Sequence, residues 1–430
     1  MKKLSISVLF LGTLTAFAVG AVALWKQPWK TKVEQPTGIL AETLLLEGQD
    51  ISFTNNLISE SLPVEAVKDW RPDQGKLQSL KDMTTGEVLD KVASDSREWI
   101  EQYQADLGNS SVIDGVQESV LMYSLASAYR LTGDESYLSA FRQGVAYFKP
   151  VLLTAQSPRG ELVYFPVNNV VQANAMALYA LGWLELSSAG VKLSSSEQQV
   201  LTGMIEYIAA SVEDTGVFDN YYLESKEIGC REMDYNSGWS LAVLAEAYRA
   251  TKDVYYIEKA DQAADYLFVT YPTGDGPKDR DFYIGGARAL RALFELTGED
   301  RYQLLLVTLT QDLANGHQYY AAFGEEIAEN GLLYNNFFLG LLDVFDYFQT
   351  TDPSAAEDYR QAIIRQFPKV VLTKSDQDDP QKFIITASCS SDACIVVQDA
   401  SMVSMYFKAA IQFQRSLSAD EQLQPAVVGL

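Results

Sequence analysis

The amino-acid sequence predicts an all-α fold, a closed ring of six helical hairpins. Three observations predict this ring: a helix–turn–helix unit recurs along the chain, the first helix of each unit is more apolar than the second, and an unpaired helix remains at each end of the repeats. The chain has 430 residues, of which 47% are hydrophobic and 21% are charged. These values are typical of a globular protein that is large enough to form such a ring.

The repeat is clearest where two helices flank a short polar turn. The segments 128–138 and 247–257 align directly, as Ala-Tyr-Arg-Leu-Thr-Gly-Asp-Glu-Ser-Tyr-Leu against Ala-Tyr-Arg-Ala-Thr-Lys-Asp-Val-Tyr-Tyr-Ile. A similar Thr-Gly-Glu-Asp turn occupies 297–300, and looser copies cover 173–210 and 333–368. Similarity at a regular interval indicates a repeat architecture. The clear copies predict helices over 116–131, 136–148, 237–250, 255–268, 286–296 and 301–314.

The two helices of each hairpin are predicted to occupy different layers. The second helix is amphipathic, as over 255–268, whereas the first is apolar on most of its circumference, as over 337–342. A helix that is apolar nearly all round is a buried helix, so the first helices form an inner ring and the second helices an outer ring. The last helix, about 398–416, has no following partner, and the helix at 86–107 could supply one. Closing the ring in this way leaves no exposed apolar end.

The first thirty residues are predicted to direct export. Lys2 and Lys3 precede an uncharged, mostly apolar run over 4–24 that is long enough to cross a bilayer. Trp25 follows the run, as in an interfacial belt. An uncleaved signal anchor is the preferred interpretation, and a cleaved signal peptide is the alternative. In either case the rest of the chain is expected in the cell envelope, membrane-anchored or periplasmic or extracellular.

The domain boundaries follow from this pattern. Residues 1–30 are the leader, and 31–85 form a stalk or wrapping segment with possible strands at 39–46 and 51–62. The ring occupies 86–416, and 417–430 form a C-terminal tail.

Composition excludes several classes of function. The formal charge of −24 argues against a nucleic-acid partner. One histidine and three cysteines exclude a multi-His metal site and a Cys₄ zinc site. Because the sequence contains no Walker-type phosphate loop, no convincing dinucleotide fingerprint and no Gly-x-Ser-x-Gly elbow, no cofactor or metal is expected. Cys389 and Cys394 could form a small loop disulfide in an oxidising compartment, and two reduced thiols are the alternative.

The connections between hairpins predict where a functional site lies. The inner-to-outer turns are mostly three or four residues long, whereas the outer-to-inner connections are long. All long loops therefore meet at one mouth of the ring, at the N-termini of the inner helices. Since long loops in compact domains are usually functional, a shallow bowl is predicted at this mouth.

These hairpins resemble the six-hairpin (α/α)₆-toroid superfamily, which includes unsaturated glucuronyl hydrolases, N-acylglucosamine 2-epimerases and the C-terminal part of glucuronyl C5-epimerases. The resemblance covers about 86–416 and rests on repeats such as Tyr-Arg-Leu-Thr-Gly-Asp-Glu-Ser-Tyr-Leu. It implies a carbohydrate ligand in the bowl. The repeats mark architecture, so the resemblance identifies no catalytic residue.

Three carboxylates are the catalytic candidates. Asp114, Asp234 and Asp281 each lie just before or at the start of a different inner helix, so they could face one another across the bowl. Glycosidic hydrolysis usually needs one protonated and one ionised carboxyl group. The alternative is that these residues cap helices or complement helix dipoles.

The same junctions carry aromatic and amide side chains suited to a sugar. Aromatic rings offer flat apolar platforms, and amides can hydrogen-bond hydroxyl groups; packing in the core and backbone capping are the alternatives. An arginine in the first turn of an inner helix either pairs with a neighbouring acid or receives a ligand carboxylate. The predicted substrate-binding residues are Tyr164, Asn168, Tyr222, Tyr235, Trp239, Tyr283, Arg288, Tyr334 and Asn335.

The leading functional hypothesis is an exported glycoside hydrolase that acts on an oligo- or polysaccharide. A uronic-acid epimerase or lyase is the first alternative, in which Tyr235, Tyr283 and His317 supply acid–base chemistry and Arg288 holds the carboxylate. A non-catalytic glycan- or protein-binding component of the envelope is the second alternative. The sequence leaves the oligomeric state open.

Overall fold

The computed structural model shows the helices and strands of the ring directly. The described residues are 74–109, 115–166, 170–171, 173–218, 220–222, 227–229, 238–270, 285–314, 335–364, 366–373, 385–390, 393–397 and 400–426. The helices are α1 (Gln74–Lys81), α2 (Thr85–Asn109), α3 (Val116–Thr132), α4 (Glu135–Phe148), α5 (Ala173–Ser188), α6 (Ser195–Ala210), α7 (Gly238–Thr251), α8 (Val254–Thr270), α9 (Gly286–Thr297), α10 (Asp300–Ala314), α11 (Asn335–Thr351), α12 (Pro353–Ile364), α13 (Phe367–Thr373), α14 (Ala400–Ser416) and α15 (Ala419–Gln422). The strands are β1 (Leu153–Ser157), β2 (Gly160–Tyr164), β3 (Val170–Val171), β4 (Asn220–Tyr222), β5 (Glu227–Gly229), β6 (Ile385–Ser390) and β7 (Ala393–Val397).

The described helices form the predicted closed ring. Helices α3, α5, α7, α9, α11 and α14 follow one another around the inner ring, and α14 packs back against α3. Each inner helix also contacts its outer partner, which is α4, α6, α8, α10 or α12 for the first five. The sixth pair joins α14 to α2, as the leftover helices predicted.

The inner and outer helices differ in how much of their surface is buried. Every residue from Ala175 to Trp183 in inner helix α5 is buried, whereas outer helix α4 buries Tyr137 and Phe141 and exposes Gln143. Removal of apolar surface from water holds the rings together, so a helix packed on all sides must be apolar on all sides.

The repeated Thr-containing turn has one hydrogen-bond pattern. The hydroxyl groups of Thr132, Thr251 and Thr297 donate to the carbonyl oxygen four residues earlier, at 2.7–2.8 Å. The same oxygens accept from the N–H group two residues later, at 3.1–3.2 Å. Two of the turns have a glycine with left-handed φ after the threonine, and Lys252 adopts this conformation in the third, with φ of 61°. The threonine is therefore the shared feature that stops each inner helix.

Short strands occupy parts of the predicted long connections. β1 and β2 form an antiparallel hairpin that packs against α6, and β3, β4 and β5 form a three-stranded antiparallel sheet. β6 and β7 form a further hairpin before α14. The sequence predicted irregular loops here, because two- to six-residue strands are too short to show a clear alternation. The possible strands at 39–46 and 51–62 lie outside the described residues.

The two ends of the ring domain are tied together. The N–H group of Thr85 donates to the carbonyl oxygen of Gln424 at 2.8 Å, and the N–H group of Ala426 donates to that of Met83 at 2.9 Å. The predicted tail 417–430 thus includes a segment attached to the start of α2. Part of the predicted stalk, 74–81, is the helix α1.

Within the described ranges, we find no helix with the length and apolarity that a membrane span requires. The predicted leader over 1–30 lies outside those ranges.

The register of the β6–β7 hairpin predicts a disulfide. Cys389 and Cys394 are direct cross-strand partners, and the Cα atoms of such partners are about 4.5–5.5 Å apart, within the range of about 4.4–6.8 Å for a disulfide. In full-length protein exported by a host cell, we expect alkylation without reductant to label one cysteine and alkylation after reduction to label three. Mass spectrometry measures the number of labels. Cys389→Ser is the control and should show two labels without reductant, whereas three labels on unreduced wild type would contradict the disulfide.

Candidate active site

The inner ring encloses a cavity of about 770 Å³, which is within the usual range for small-molecule sites. All six inner helices line it, mostly from their C-terminal halves, with Arg130, Ser188, Arg249, Gln349 and Ser416 among the contributors. The cavity is therefore at the mouth where the inner helices turn back to the outer ones, which we call the short-turn mouth. The bowl predicted from the sequence belongs to the opposite, long-loop mouth.

The lining of the cavity is strongly charged. It contains similar numbers of basic and acidic residues, although the whole chain has 33 basic and 57 acidic residues. The cavity is thus enriched in cations relative to the rest of the protein. The described basic residues are Arg130, Arg249, Arg288, Arg291, Lys408 and Arg415, and the described acidic residues are Glu185, Glu246, Glu295, Asp343 and Asp346.

A buried ion cluster centres on Glu185, which is 4% exposed. A guanidinium nitrogen of Arg288 lies 2.7 Å from one of its carboxylate oxygens, and Arg130 contacts the other. The same nitrogen of Arg288 donates to the hydroxyl oxygen of Tyr123 at 2.8 Å. Burial alone would raise the pKa of Glu185, but Arg288 and Arg130 lower it below its ordinary value. Glu185 is therefore ionised, and it connects helices α3, α5 and α9.

Asp343 and Asp346 lie one turn apart on α11 and both line the cavity. Burial raises the pKa of Asp343 to about 6, against opposing effects of Lys408 and Arg288. One carboxyl oxygen of Asp343 has no hydrogen-bond partner among the described residues. Burial also raises the pKa of Asp346, which accepts a hydrogen bond from the Gln412 amide. Asp343 can therefore hold a proton close to neutral pH.

Lys408 contributes a buried positive charge from α14. Its side chain is 6% exposed, and its ammonium nitrogen is 5.1 Å from the centre of the Tyr123 ring. Burial would lower its pKa, but the negative charges of Asp343, Asp346 and Glu185, together with Tyr123, raise it. Lys408 is thus protonated.

Three of the predicted substrate-binding side chains are described in full. Arg288 lines the cavity and pairs with Glu185, which is the first of the two alternatives for this residue. Tyr164 is buried, with its ring 5.4 Å from that of Tyr207. Trp239 is also buried, with its ring edge-on to Tyr123 at 5.2 Å. Tyr164 and Trp239 are therefore core residues in this structure, and their contact with a sugar stays a prediction.

The backbone at the start of α9 depends on the position of Trp239. Gly285 has a φ of 74°, and a Cβ atom there would lie 2.6 Å from the Trp239 ring. Only glycine fits both the left-handed backbone and this close approach. The glycine therefore helps to set where α9, and with it Arg288, begins.

The other predicted site residues are not tested by side-chain geometry. Tyr222 ends strand β4 and Asn335 begins helix α11. The remaining ones lie outside the described residues; these are Asp114, Asn168, Asp234, Tyr235, Asp281, Tyr283, His317 and Tyr334.

Sequence reasoning missed Asp343, Asp346 and Lys408. A signal was present, because each is a charged residue inside an otherwise apolar inner helix, as in Leu-Leu-Asp-Val-Phe-Asp at 341–346 and Tyr-Phe-Lys-Ala-Ala at 406–410. Charged side chains are seldom buried without a partner or a function. Within the described part of the chain, no group of three or more His, Cys, Asp or Glu residues is arranged to hold a metal ion.

Loss of the Glu185 charge is expected to destabilise the ring. Glu185→Gln breaks an ion pair whose acid is buried and leaves the partly buried guanidinium of Arg288 without its counter-charge, and breaking a buried pair costs about 3 kcal/mol or more. We expect urea denaturation to show this loss in the free energy of unfolding. Glu295→Gln is the matched control, because Glu295 is 43% exposed at the rim and exposed pairs contribute only about 0–1 kcal/mol. Equal losses in the two variants would contradict the central role of Glu185.

Asp343 is expected to make stability depend on pH. Its pKa is about 6 in the folded protein and lies near 4 in an unfolded chain, so between these values the folded state binds more protons. Stability therefore falls as pH rises from about 4 to about 6. We expect Asp343→Asn to gain stability relative to wild type across that window, as measured by urea denaturation at each pH. The exposed Asp106→Asn variant is the control, and a wild-type slope in Asp343→Asn would contradict the assignment.

Comparison with known proteins gives evidence on the fold. No protein-family model matches the chain, and no curated protein matches it. Among solved structures, a glycoside hydrolase family 76 α-mannanase from Bacteroides thetaiotaomicron matches with a TM-score of 0.51 and 10% identity, over 75% of this chain and 96% of that one. A D-mannose isomerase matches with a TM-score of 0.46 and 14% identity over 71% and 87%. An inactive α-1,6-mannanase variant from Salegentibacter sp., in complex with α-1,6-mannotriose, matches with a TM-score of 0.45 and 14% identity over 76% and 99%. The first likeness confirms the fold that the sequence predicted, a closed (α/α)₆ toroid of six helical hairpins.

Proposed function

We propose that this protein is a carbohydrate-active enzyme, specifically a glycoside hydrolase that acts on an oligo- or polysaccharide. The observation that carries the proposal is the pair of carboxyl groups, Asp343 and Asp346, in a cavity of about 770 Å³ at the centre of the ring. The fold supports it, because a family 76 α-mannanase is built on the same ring.

The two carboxyl groups fit the chemistry of glycosidic hydrolysis. Such hydrolysis uses one carboxyl group that donates a proton to the leaving oxygen and a second, ionised one that stabilises or activates the other reactant. Asp343, with a pKa of about 6, is suited to donate the proton. Asp346, which accepts a hydrogen bond from the Gln412 amide, is the second carboxyl group, and residues three apart on a helix have Cβ atoms about 5–6 Å apart, so the two can act on one bond.

The sequence predicts a competing set of acids at the long-loop mouth. Asp114, Asp234 and Asp281 are proposed there from the sequence, together with the aromatic platforms Tyr235 and Tyr283. The sequence predicts this set at the end of the inner ring opposite the short-turn mouth that Asp343 and Asp346 line, so substitutions distinguish the two sets.

The proposed location is the cell envelope, because residues 1–30 have the composition of a signal anchor or signal peptide. The proposed partner is therefore an envelope or extracellular glycan. Fractionation of the host cells used for the cysteine-alkylation experiment tests this location. We expect the protein in the envelope or extracellular fraction, and recovery of nearly all of it in the cytoplasmic fraction would contradict the proposal.

Activity on a polysaccharide panel tests the proposal. We expect the full-length protein to release reducing ends from at least one member of a panel that includes α-mannan and uronate-containing polymers. Asp343→Asn and Asp346→Asn are expected to lower kcat/KM by about 100-fold or more, the usual contribution of acid–base catalysis. Asp106→Asn, a substitution on the exposed face of α2, is the matched control and should retain wild-type activity.

Each of the other outcomes would support one of the alternative sites or functions. Loss of activity in Asp114→Asn, Asp234→Asn or Asp281→Asn, with full activity in Asp343→Asn, would transfer catalysis to the long-loop mouth. Epimerised or unsaturated products would replace hydrolysis by the epimerase or lyase alternative. Glycan binding without turnover would establish a binding protein and contradict an enzyme.

A further inference from the structure

Within the described part of the chain, two cations of the cavity have no ion-pair partner. Of the six basic side chains in its described lining, four lie within 4 Å of a carboxylate oxygen of Glu185 or Glu295. Among the described residues, no such carboxylate lies within that distance of Lys408 or Arg415. The charges around Lys408 act on it through space, as its raised pKa indicates.

The two cations share one face of helix α14. Lys408 and Arg415 are seven residues apart, with Gln412 between them on the same face, and all three line the cavity. Seven residues span about 10 Å of helix. Lys408 is 6% exposed and lies deep in the cavity, whereas Arg415 is exposed at its rim. The pair therefore runs from the floor of the cavity to its mouth.

A buried cation without a close partner is costly, since desolvation of a charge is offset only by a well-placed counter-charge. An ammonium group serves as a point charge for a carboxylate or phosphate, and a guanidinium group binds either of them with two parallel hydrogen bonds. Elsewhere the protein repels anions, because its net charge is −24. The cavity is thus a favourable place on this protein for an anionic group.

We propose that the cavity binds a sugar that carries an anionic group, a carboxylate or a phosphate, and that Lys408 at the floor receives this group while the positive charge of Arg415 attracts it at the mouth. The inference deepens the proposed function by naming its substrate class, and it rests on that function for the sugar portion of the ligand. The free carboxyl oxygen of Asp343 is then available to a sugar hydroxyl or to the glycosidic oxygen.

Direct binding measurements test the inference without relying on turnover. Isothermal titration calorimetry measures the affinity of the full-length protein for glucuronate, glucose 6-phosphate, glucose and inorganic phosphate. These probes separate the contributions of the sugar, the carboxylate and the phosphate to binding. We expect one of the two anionic sugars to bind at least 10-fold more tightly than glucose and inorganic phosphate, and to bind more weakly at high salt. The tighter of the two identifies the group as a carboxylate or a phosphate.

Substitutions locate the anion. Arg415→Gln should weaken binding of the anionic sugar at least 5-fold, and Lys408→Met should weaken it further in protein whose circular dichroism spectrum matches wild type. Arg142→Gln is the matched control, because Arg142 is an arginine on outer helix α4 with a 50% exposed side chain, and it should bind as wild type does.

Several outcomes would overturn the inference. These are glucose binding as tightly as the anionic sugars, inorganic phosphate binding as tightly as either of them, no binding of any probe, or unchanged affinity in Arg415→Gln. Turnover of neutral glycans without anion binding would overturn this inference and leave the proposed function standing. Anion-dependent sugar binding without turnover of any glycan would overturn the proposed function and leave this inference standing.

Discussion

Closure of the inner ring is the constraint on which the rest of the structure depends. The sixth hairpin pairs α2 with α14, two helices from opposite ends of the toroid sequence. Without this pair, α3 and α11 would each present an apolar face to water, because inner helices are buried on nearly every side. Closure also turns the space between six helices into a cavity that all six helices line and that opens at the short-turn mouth, and this makes room for a bound molecule.

The same closure explains how charges persist at the centre of the protein. Glu185, Arg288, Asp343 and Lys408 come from four different inner helices, and Tyr123 comes from a fifth, so these groups meet only when the ring is complete. Once the ring is assembled, the neighbouring charges keep Glu185 ionised and Lys408 protonated. Burial raises the pKa of Asp343, against the opposing effects of Lys408 and Arg288. A polar centre of this kind stabilises less than an apolar one of similar shape would, so its retention in a hydrophobic ring favours a functional role.

The architecture of the ring could be predicted from the sequence, because it follows from local patterns. The predicted helices 116–131, 286–296 and 398–416 differ from the observed ones by no more than two residues at either end, since each is bounded by a threonine turn or by polar loop residues. The location of the cavity could not be predicted in this way. The long loops directed attention to one mouth, whereas Asp343 and Lys408 reach the other from the middle of apolar helices, and their proximity is set by packing between segments that are distant in sequence. Contacts of Trp239 with Tyr123 and Gly285 are likewise long-range, so the sequence alone could not show that this ring is buried.

The hydrogen bonds that join Thr85 to Gln424 and Ala426 to Met83 affect how the protein is made. The first outer helix emerges from the ribosome more than 300 residues before its partner α14 and before the strand-like segment that fastens the two ends. Until α14 has been synthesised, the growing chain must carry half-covered apolar helices, a condition that invites association with other chains or with chaperones. Closure of this toroid therefore waits for α14, and a chain truncated before α14 would leave the ring open.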